Sequence, residues 1–365
     1  MYKVCVYAIC KNEEQFVDRW MDAVGEADLV VVTDTGSTDH TVEKLRARGA
    51  IVYQVEIKPW RFDTARNISL SHIPEDVDIC VSNDLDEIFE PGWREKLETA
   101  WHPCNTRASY LFTWSRNEDG TYEKQFPMQK IHRRHGFRWI HPVHEILEYN
   151  GEDPENVVWI QGLILNHYPD LTKPRGQYLP LLELSVKENP EDDRTKFWLG
   201  REYMYNNRYE ECIQTLTEYL KMPTANWDEE RCAAMRFIAK CYESKGDLKN
   251  ARKWLYSAIG QCASVREPYL QLAVLGFVES DWPLVFFLVS EALKITERSG
   301  SYLFEAEAWG TALYDLGAIS CYRLGLYKKS YEYAMQACDA EPEDARLKDN
   351  LEMIRSKLEE EGMRV

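Results

Sequence analysis

Asn83-Asp84-Leu85-Asp86-Glu87 gathers three carboxylates into five residues. Asp84 and Asp86 stand two apart, a spacing that lets both carboxylates reach one hard cation from the end of a strand. A cation held there can grip a diphosphate, whose negative charge grows as the bond to it breaks. A solvated acidic turn would contain the same residues, and the stretch by itself does not separate the two readings. Four other stretches concentrate polar and ionisable groups: Asp34-Thr35-Gly36-Ser37-Thr38-Asp39, Ala65-Arg66-Asn67, His141-Pro142-Val143-His144-Glu145 and Asn166-His167.

The elements that must position these groups alternate. Residues 2–10 are apolar on both faces, as in a buried strand of a parallel sheet. Phe16, Val17, Trp20, Met21 and Val24 follow at helical spacing, with Asn12 expected as the cap. A second strand over 28–33 ends at Asp34, and the helix after it ends at Gly49. A third strand covers 50–57, a helix runs from Thr64 to His72, and a fourth strand over 77–82 leads into the acidic stretch. Alternation of this kind means crossover units and a parallel sheet, which binds ligands at the C-terminal ends of its strands. Asp34, Asp84 and Asp86 are all expected at such ends.

After Pro91-Gly92 the pattern changes to strands over 108–116, 128–139 and 157–168. A mixed sheet extending the first would bring His144-Glu145 and His167 beside the acidic stretch. From about residue 175 the pattern is helical. Hairpins are expected around Trp198 to Pro223, Ile238 to Ala258, Leu272 to Leu293 and Leu316 to Pro342. Their spacing wanders around the tetratricopeptide period of ~34 residues. Leu347, Leu351, Ile354 and Leu358 mark a closing helix, and Lys173-Pro174-Arg175-Gly176 breaks regular structure in a linker over 169–180.

The 365 residues carry a formal net charge of −17, which disfavours nucleic acid or an anionic membrane as partner. Ten scattered cysteines include no Cys-x-x-Cys pair. They read as small buried hydrophobes in a reducing compartment. The N-terminus enters a strand pattern without a signal-peptide core, and no apolar run is long enough to span a bilayer. The expected location is cytoplasmic.

Lys11-Asn12-Glu13-Glu14, the Asp34–Asp39 turn, Ala65-Arg66-Asn67 and Asp84-Leu85-Asp86-Glu87 occur in the order seen in family 2 glycosyltransferases, which the first ~170 residues resemble. The rest resembles tetratricopeptide repeats. The resemblance implies a GT-A catalytic domain, a Rossmann-like mixed α/β sheet, over 1–170. A linker and first helix follow over 171–190, then an all-α tetratricopeptide-type domain over 191–365. It implies an inverting hexosyl transfer from a nucleoside diphosphate sugar, uridine-linked, to a peptide, protein or glycan acceptor recruited by the repeats. A homodimer through those repeats is an open expectation.

By the same resemblance, Asp34, with Asp39, contacts the base or ribose of the sugar nucleotide. Asp63 and Arg66 line its pocket, and Asp84 faces the donor ribose or sugar. Asp86 and His167 bind a divalent metal, Mn²⁺ or Mg²⁺. Relatives often carry the catalytic base in a Glu-Asp pair. His144-Glu145, preceded by Trp139, matches a subgroup pattern, so Glu145 is expected as the base, supported by His144. Trp60, Trp114 and Trp139 are candidates for stacking on sugar or acceptor, or for core packing.

Other classes fit less well. Asp34-Thr35-Gly36 resembles an aspartic-protease motif but has no second copy to share its proton. His144-Glu145 opens a zinc-protease pattern that Glu148 breaks. A non-catalytic tetratricopeptide scaffold with a relic nucleotide-sugar site is the alternative of a different kind, and it differs from the enzyme by failing to turn over sugar nucleotides.

Overall fold

The computed structural model describes residues 1–117, 120–170, 176 and 178–362. The chain divides into two compact units, Met1–Glu188 and Asn189–Val365.

The first unit opens with β1 (Val4–Cys10), α1 (Val17–Val24), β2 (Leu29–Asp34), α2 (Thr41–Ala47), β3 (Ile51–Gln54), α3 (Phe62–Ser71) and β4 (Ile79–Ser82). It continues with β5 (Glu87–Phe89), α4 (Trp93–Ala100), β6 (Arg107–Arg116), β7 (Tyr122–Arg133), β8 (Phe137–Ile140), β9 (Ile146–Tyr149), β10 (Val157–His167) and α5 (Tyr178–Glu188). Eight strands form one mixed sheet in the order β3-β2-β1-β4-β7-β6-β10-β5. β3, β2, β1 and β4 are parallel, as the crossover helices require. β7 enters antiparallel between β4 and β6, and β5 closes the edge antiparallel to β10.

Apolar side chains at both faces of β1 explain its central place, because Val4, Cys5, Val6 and Ala8 are fully buried. α1 buries Val17, Trp20, Met21 and Val24, a stripe spaced three and four apart, against that sheet. Trp20 and Trp93 are each buried to within 1%, and by area each contributes about 4–6 kcal/mol.

Two expectations change. Asn12 does not cap α1, which is flanked by Phe16 without a side-chain cap. Asn12 instead takes a left-handed φ of 55° and ties two loops, its N–H donating to Ser37 Oγ and its Oδ1 accepting from Thr38 N–H. The expected strand over 128–139 is two strands. β7 ends at Arg133, the chain turns through Gly136 (φ 82°), and β8 pairs with β9 in a separate two-stranded sheet. His141 to Glu145 therefore lie on the β8–β9 connection rather than in the main sheet. Half of the linker expected over 169–180, residues 171–175 and 177, lies outside the described residues, and α5 begins within it at Tyr178.

The second unit is helical throughout. Its hairpins are α6–α7 (Asp193–Tyr205, Tyr209–Tyr219), α8–α9 (Asp228–Ser244, Leu248–Gln261), α10–α11 (Glu267–Val278, Trp282–Ala292) and α12–α13 (Ala312–Arg323, Tyr327–Ala340). α14 (Ala345–Glu360) closes it, burying Leu347, Ile354 and Leu358. Each hairpin turn contains one left-handed residue at the same place: Asn207, Gly246, Ser280 and Gly325. Asp247 and Asp281 follow directly and cap the second helices, their carboxylates accepting from Asn250 and Leu284 N–H. First helices of successive hairpins touch, α6 with α8, α8 with α10 and α10 with α12. The architecture is thus a mixed α/β sheet followed by a tetratricopeptide-like repeat.

Eight of the ten cysteines are buried and all ten are free. Among the described residues no helix is long and apolar enough to cross a membrane.

Candidate active site

The site is built around Arg66. α3 packs on β1, β2 and β8, and its Ala65-Arg66-Asn67 segment divides the labour. Ala65 is fully buried. Asn67 clamps β8, donating from Nδ2 to Trp139 O and accepting from Trp139 N–H, both at 2.8 Å. Arg66, buried, donates from Nη1 and Nη2 to the two oxygens of Asp84 at 2.8 and 2.9 Å, and from Nε to Glu145 Oε1 at 2.5 Å. Its guanidinium lies over the Trp139 ring, 4.9 Å from the centroid. One cation thus joins the first aspartate of the acidic stretch to the glutamate of the β8–β9 connection.

Lys130 is the second cation, and sequence reasoning missed it. The pairing of Val81 with Ile131 sets β7 so that Lys130 passes the end of β4. Its Nζ donates to Glu87 Oε1 at 2.9 Å and Asp84 Oδ2 at 3.3 Å. A lysine between Gln129 and Ile131 in a strand pattern reads equally well as solvent-facing, so there was no signal to find.

These charges set one another's protonation. Burial by itself would raise Asp84, but attraction from Arg66 and Lys130 overrides it and holds the carboxyl far below its ordinary range. Burial is the largest influence on Glu87 and raises it; Asp84 and Asp86 push the same way, and Lys130 offsets them in part. Lys130 is held protonated by Asp84 and Glu87 against its own desolvation.

Asp86 and His167 meet across the sheet edge. β5 runs antiparallel to β10 with His167 opposite Glu87, and Tyr168 N–H donates to Asp86 O at 2.8 Å. His167 Nε2 lies 3.4 Å from Asp86 Oδ2. Two donors each about 2.1 Å from one octahedral cation stand about 3 Å apart, so the pair fits a shared divalent ion. Among the described residues no group of three or more His, Cys, Asp and Glu is placed to hold a metal. The donor set fits a cation completed by substrate phosphates and water, not an all-protein cage. His167 Nδ1 is buried and has no hydrogen-bond partner among the described residues. Trp114, 44% exposed, stacks on the His167 ring at 4.7 Å and forms the rim there.

Asp34 ends β2 opposite Cys10 and is fully buried. Its carboxylate accepts from the N–H groups of Gly36 and Ser37, which shapes the turn. Asp39 accepts from Thr41 N–H and Oγ1 and from Glu14 N–H, so it joins the entry of α2 to the β1–α1 loop. Burial opposes its charge, but the hydrogen bonds from Thr41 and Glu14 prevail and lower it. Asp63 is taken by Arg61 in a two-bond pair at 2.8 and 3.0 Å. The structure therefore brings Arg66, Asp84 and Glu145 together, and Asp86 with His167. Asp34, Asp39 and Asp63 each sit in a local network of their own.

His144 takes a left-handed φ of 51° and its ring meets Tyr178 edge-on at 5.6 Å. Pro142 O accepts from Phe62 N–H, which fixes the connection to the start of α3. Trp139 is a core residue, 3% exposed. Its Nε1–H donates to Tyr7 Oη at 2.9 Å, and Tyr7 Oη–H donates to His132 Nε2 at 3.0 Å. His132 Nδ1–H donates to Arg133 O at 2.7 Å, which selects this tautomer. Trp60 meets Phe62 edge-on at 5.1 Å.

Residues 5–148 match the family model described as Glycosyl transferase family 2, which supports glycosyl transfer as the activity class. No curated protein matches the chain. Among solved structures, MamA is 15% identical over 46% of this chain and 89% of its own, with a TM-score of 0.37. PilF of Pseudomonas aeruginosa is 12% identical over 49% and 72%, with a TM-score of 0.38. A tetratricopeptide domain of Arabidopsis OM64 is 14% identical over 36% and 98%, with a TM-score of 0.31. Likeness of this degree adds nothing to what the hairpins themselves show.

Proposed function

We propose that the N-terminal unit transfers a hexose, with inversion, from a uridine diphosphate sugar to a peptide, protein or glycan acceptor that the helical repeats recruit. The observation that carries this reading is the Arg66 bridge, which holds Asp84 bidentately and Glu145 by one bond. Arg66 Nε–H donates to Glu145 Oε1 and so orients the carboxylate that is to take a proton from an acceptor hydroxyl. Asp84, held charged by Arg66 and Lys130, is an acceptor for hydroxyls of the donor ribose or sugar. Asp86 and His167 would hold the divalent metal, Mn²⁺ or Mg²⁺, whose charge stabilises the departing diphosphate. Asp34, Asp39 and Asp63 are assigned to the nucleotide pocket, and His144 to support of Glu145. Displacement with a single base inverts the anomeric carbon, so an α-configured donor gives a β-linked product.

The test is a screen of nucleotide sugars for hydrolysis and thermal shift, with and without Mn²⁺, followed by mass spectrometry of the glycosylated product. Metal-stimulated release of uridine diphosphate from one donor is expected. No turnover and no thermal shift with any nucleoside diphosphate would return the chain to the scaffold reading.

A further inference from the structure

Within the second unit, α7 and α8 are joined over 220–227 and α9 and α10 over 262–266, but α11 and α12 are joined over 293–311. The middle of this long connection does not stand out into solvent. Ser299 Oγ donates to Glu229 at 2.8 Å, and Tyr302 Oη donates to Glu230 Oε2 at 2.8 Å, both on α8. The Tyr302 ring stacks on Trp198 of α6 at 5.5 Å and 13°, and Arg201 covers Trp198 at 3.8 Å. Glu305 pairs with Arg236 of α8 at 2.5 Å, and its N–H donates to Glu267 of α10 at 3.1 Å. The segment therefore crosses α6, α8 and α10, which are the first helices of three successive hairpins.

The recognising groups belong to the helices and are buried at 5–7% exposure for Arg236, Glu230 and Glu267. Buried charges of this kind cost free energy unless something pairs with them. Helix side chains pair with part of these groups, Tyr219 Oη donating to Glu230 Oε1 and Arg236 Nε to Gln271 Oε1, which leaves Glu230 Oε2 and Arg236 Nη2 for Tyr302 and Glu305. Side chains of 299–305 meet Glu229, Glu230 and Arg236, while Glu267 accepts from Glu305 N–H and from Trp309 Nε1. The following turn, Ala306–Trp309, is anchored differently: Ala308, 1% exposed, joins the apolar core of α10 to α12. It can stay in place while 299–305 leave, a departure that also uncovers the buried Phe304 ring.

We propose that residues 299–305 are an intramolecular ligand filling a peptide groove on the first-helix face. A peptide of the same chemistry that can take the turn at 301–303 displaces them, with a hydroxyl and an aromatic for Glu229, Glu230 and Trp198 and a carboxylate three residues on for Arg236. A tethered segment acts at about millimolar effective concentration, so it sets a threshold that an incoming peptide must exceed. This inference does not rest on sugar transfer by the first unit, and its test reads binding rather than turnover.

The probe is a fluorescent peptide of residues 299–309, titrated against the full chain. In Tyr302→Phe/Glu305→Gln the bond to Glu230 and the ion pair to Arg236 are lost while ring and size are kept. This variant is expected to bind the probe at least tenfold more tightly than the wild type, and adding Arg236→Gln is expected to abolish the gain. Saturating peptide should raise hydrogen exchange over 299–305 in the unmodified chain, a reading that decides the matter if the variant misfolds. A variant of wild-type helicity and melting that binds no more tightly, or peptide that leaves exchange over 299–305 unchanged, would overturn the proposal.

Discussion

Glu145→Gln separates a base from a structural carboxylate, because the two roles have different magnitudes here. The substitution keeps an oxygen facing Arg66 Nε, now at 2.5 Å, and removes its charge. A hydrogen bond to a charged acceptor contributes about 1.5–3 kcal/mol and a neutral one about 0.5–1.5, so the swap costs about 1 kcal/mol. Arg66 retains both bonds to Asp84. In a unit of this size that cost lowers Tm by about 2–4 °C. Loss of a general base costs about 10²–10⁴ in rate, which is about 2.7–5.5 kcal/mol of barrier. Release of nucleoside diphosphate and acceptor product should be followed with Mn²⁺, beside a thermal melt and nucleotide binding. The expected result is a rate at least about 100-fold lower, with a small shift in Tm and unchanged nucleotide affinity. A folded Glu145→Gln protein turning over within about tenfold of wild type would remove Glu145 from the base role.

Four further outcomes are expected. Arg66→Met leaves Asp84 and Glu145 without their shared cation and should cost about 3–5 kcal/mol in urea unfolding of the first unit; a loss below about 1 kcal/mol would refute the bridge as a structural element. Asp86→Asn and His167→Ala should each weaken Mn²⁺-supported binding of a nucleoside diphosphate by at least about tenfold in calorimetry, and an unchanged metal response in both would exclude this metal site. Burial lowers His132 from 6.5 to about 3, so the unfolded chain accepts a proton that the folded chain refuses. Stability is therefore full above pH 6.5 and falls by about 1.4 kcal/mol per unit as pH drops through the window towards 3, a slope that His132→Gln should remove. Gly200→Ala places a Cβ 2.4 Å from Leu216 Cδ2 and should destabilise the α6–α7 hairpin by about 1–3 kcal/mol, visible as a lower Tm; no change would mean that the helices are not in close contact there.

The crossover half of the sheet was legible because both its faces are covered, so β1 is apolar throughout and β2 and β4 are apolar until they end in Thr33-Asp34 and Ser82. The hairpins were legible through their turns, where Gly246-Asp247 and Gly325 combine a left-handed residue with a helix start. The grouping of Arg66 with Glu145 was not legible. It depends on Asn67 clamping Trp139 and on Pro142 accepting from Phe62 N–H, contacts between segments about 75 residues apart that leave no periodic trace. The break of 128–139 into two strands was hidden for a related reason. The polar run His132 to His135 sits between apolar Ile131 and Phe137, and the positive φ of Gly136 is what turns the chain.

The contact of Arg66 with Glu145 spans 79 residues and that of Lys130 with Asp84 spans 46. At about 5–20 residues per second, a ribosome makes Arg66 some 4–16 s before Glu145. Within that interval, from completion of β4 at Ser82 to completion of β7 at Arg133, β4 lacks its antiparallel neighbour, so an apolar strand edge ending in an incompletely matched cluster of ions is exposed. Docking of β7 covers the edge and delivers the lysine in one event. Maturation of the site is thus tied to completion of the sheet, and fragments ending between residues 84 and 130 should aggregate rather than form a partial enzyme.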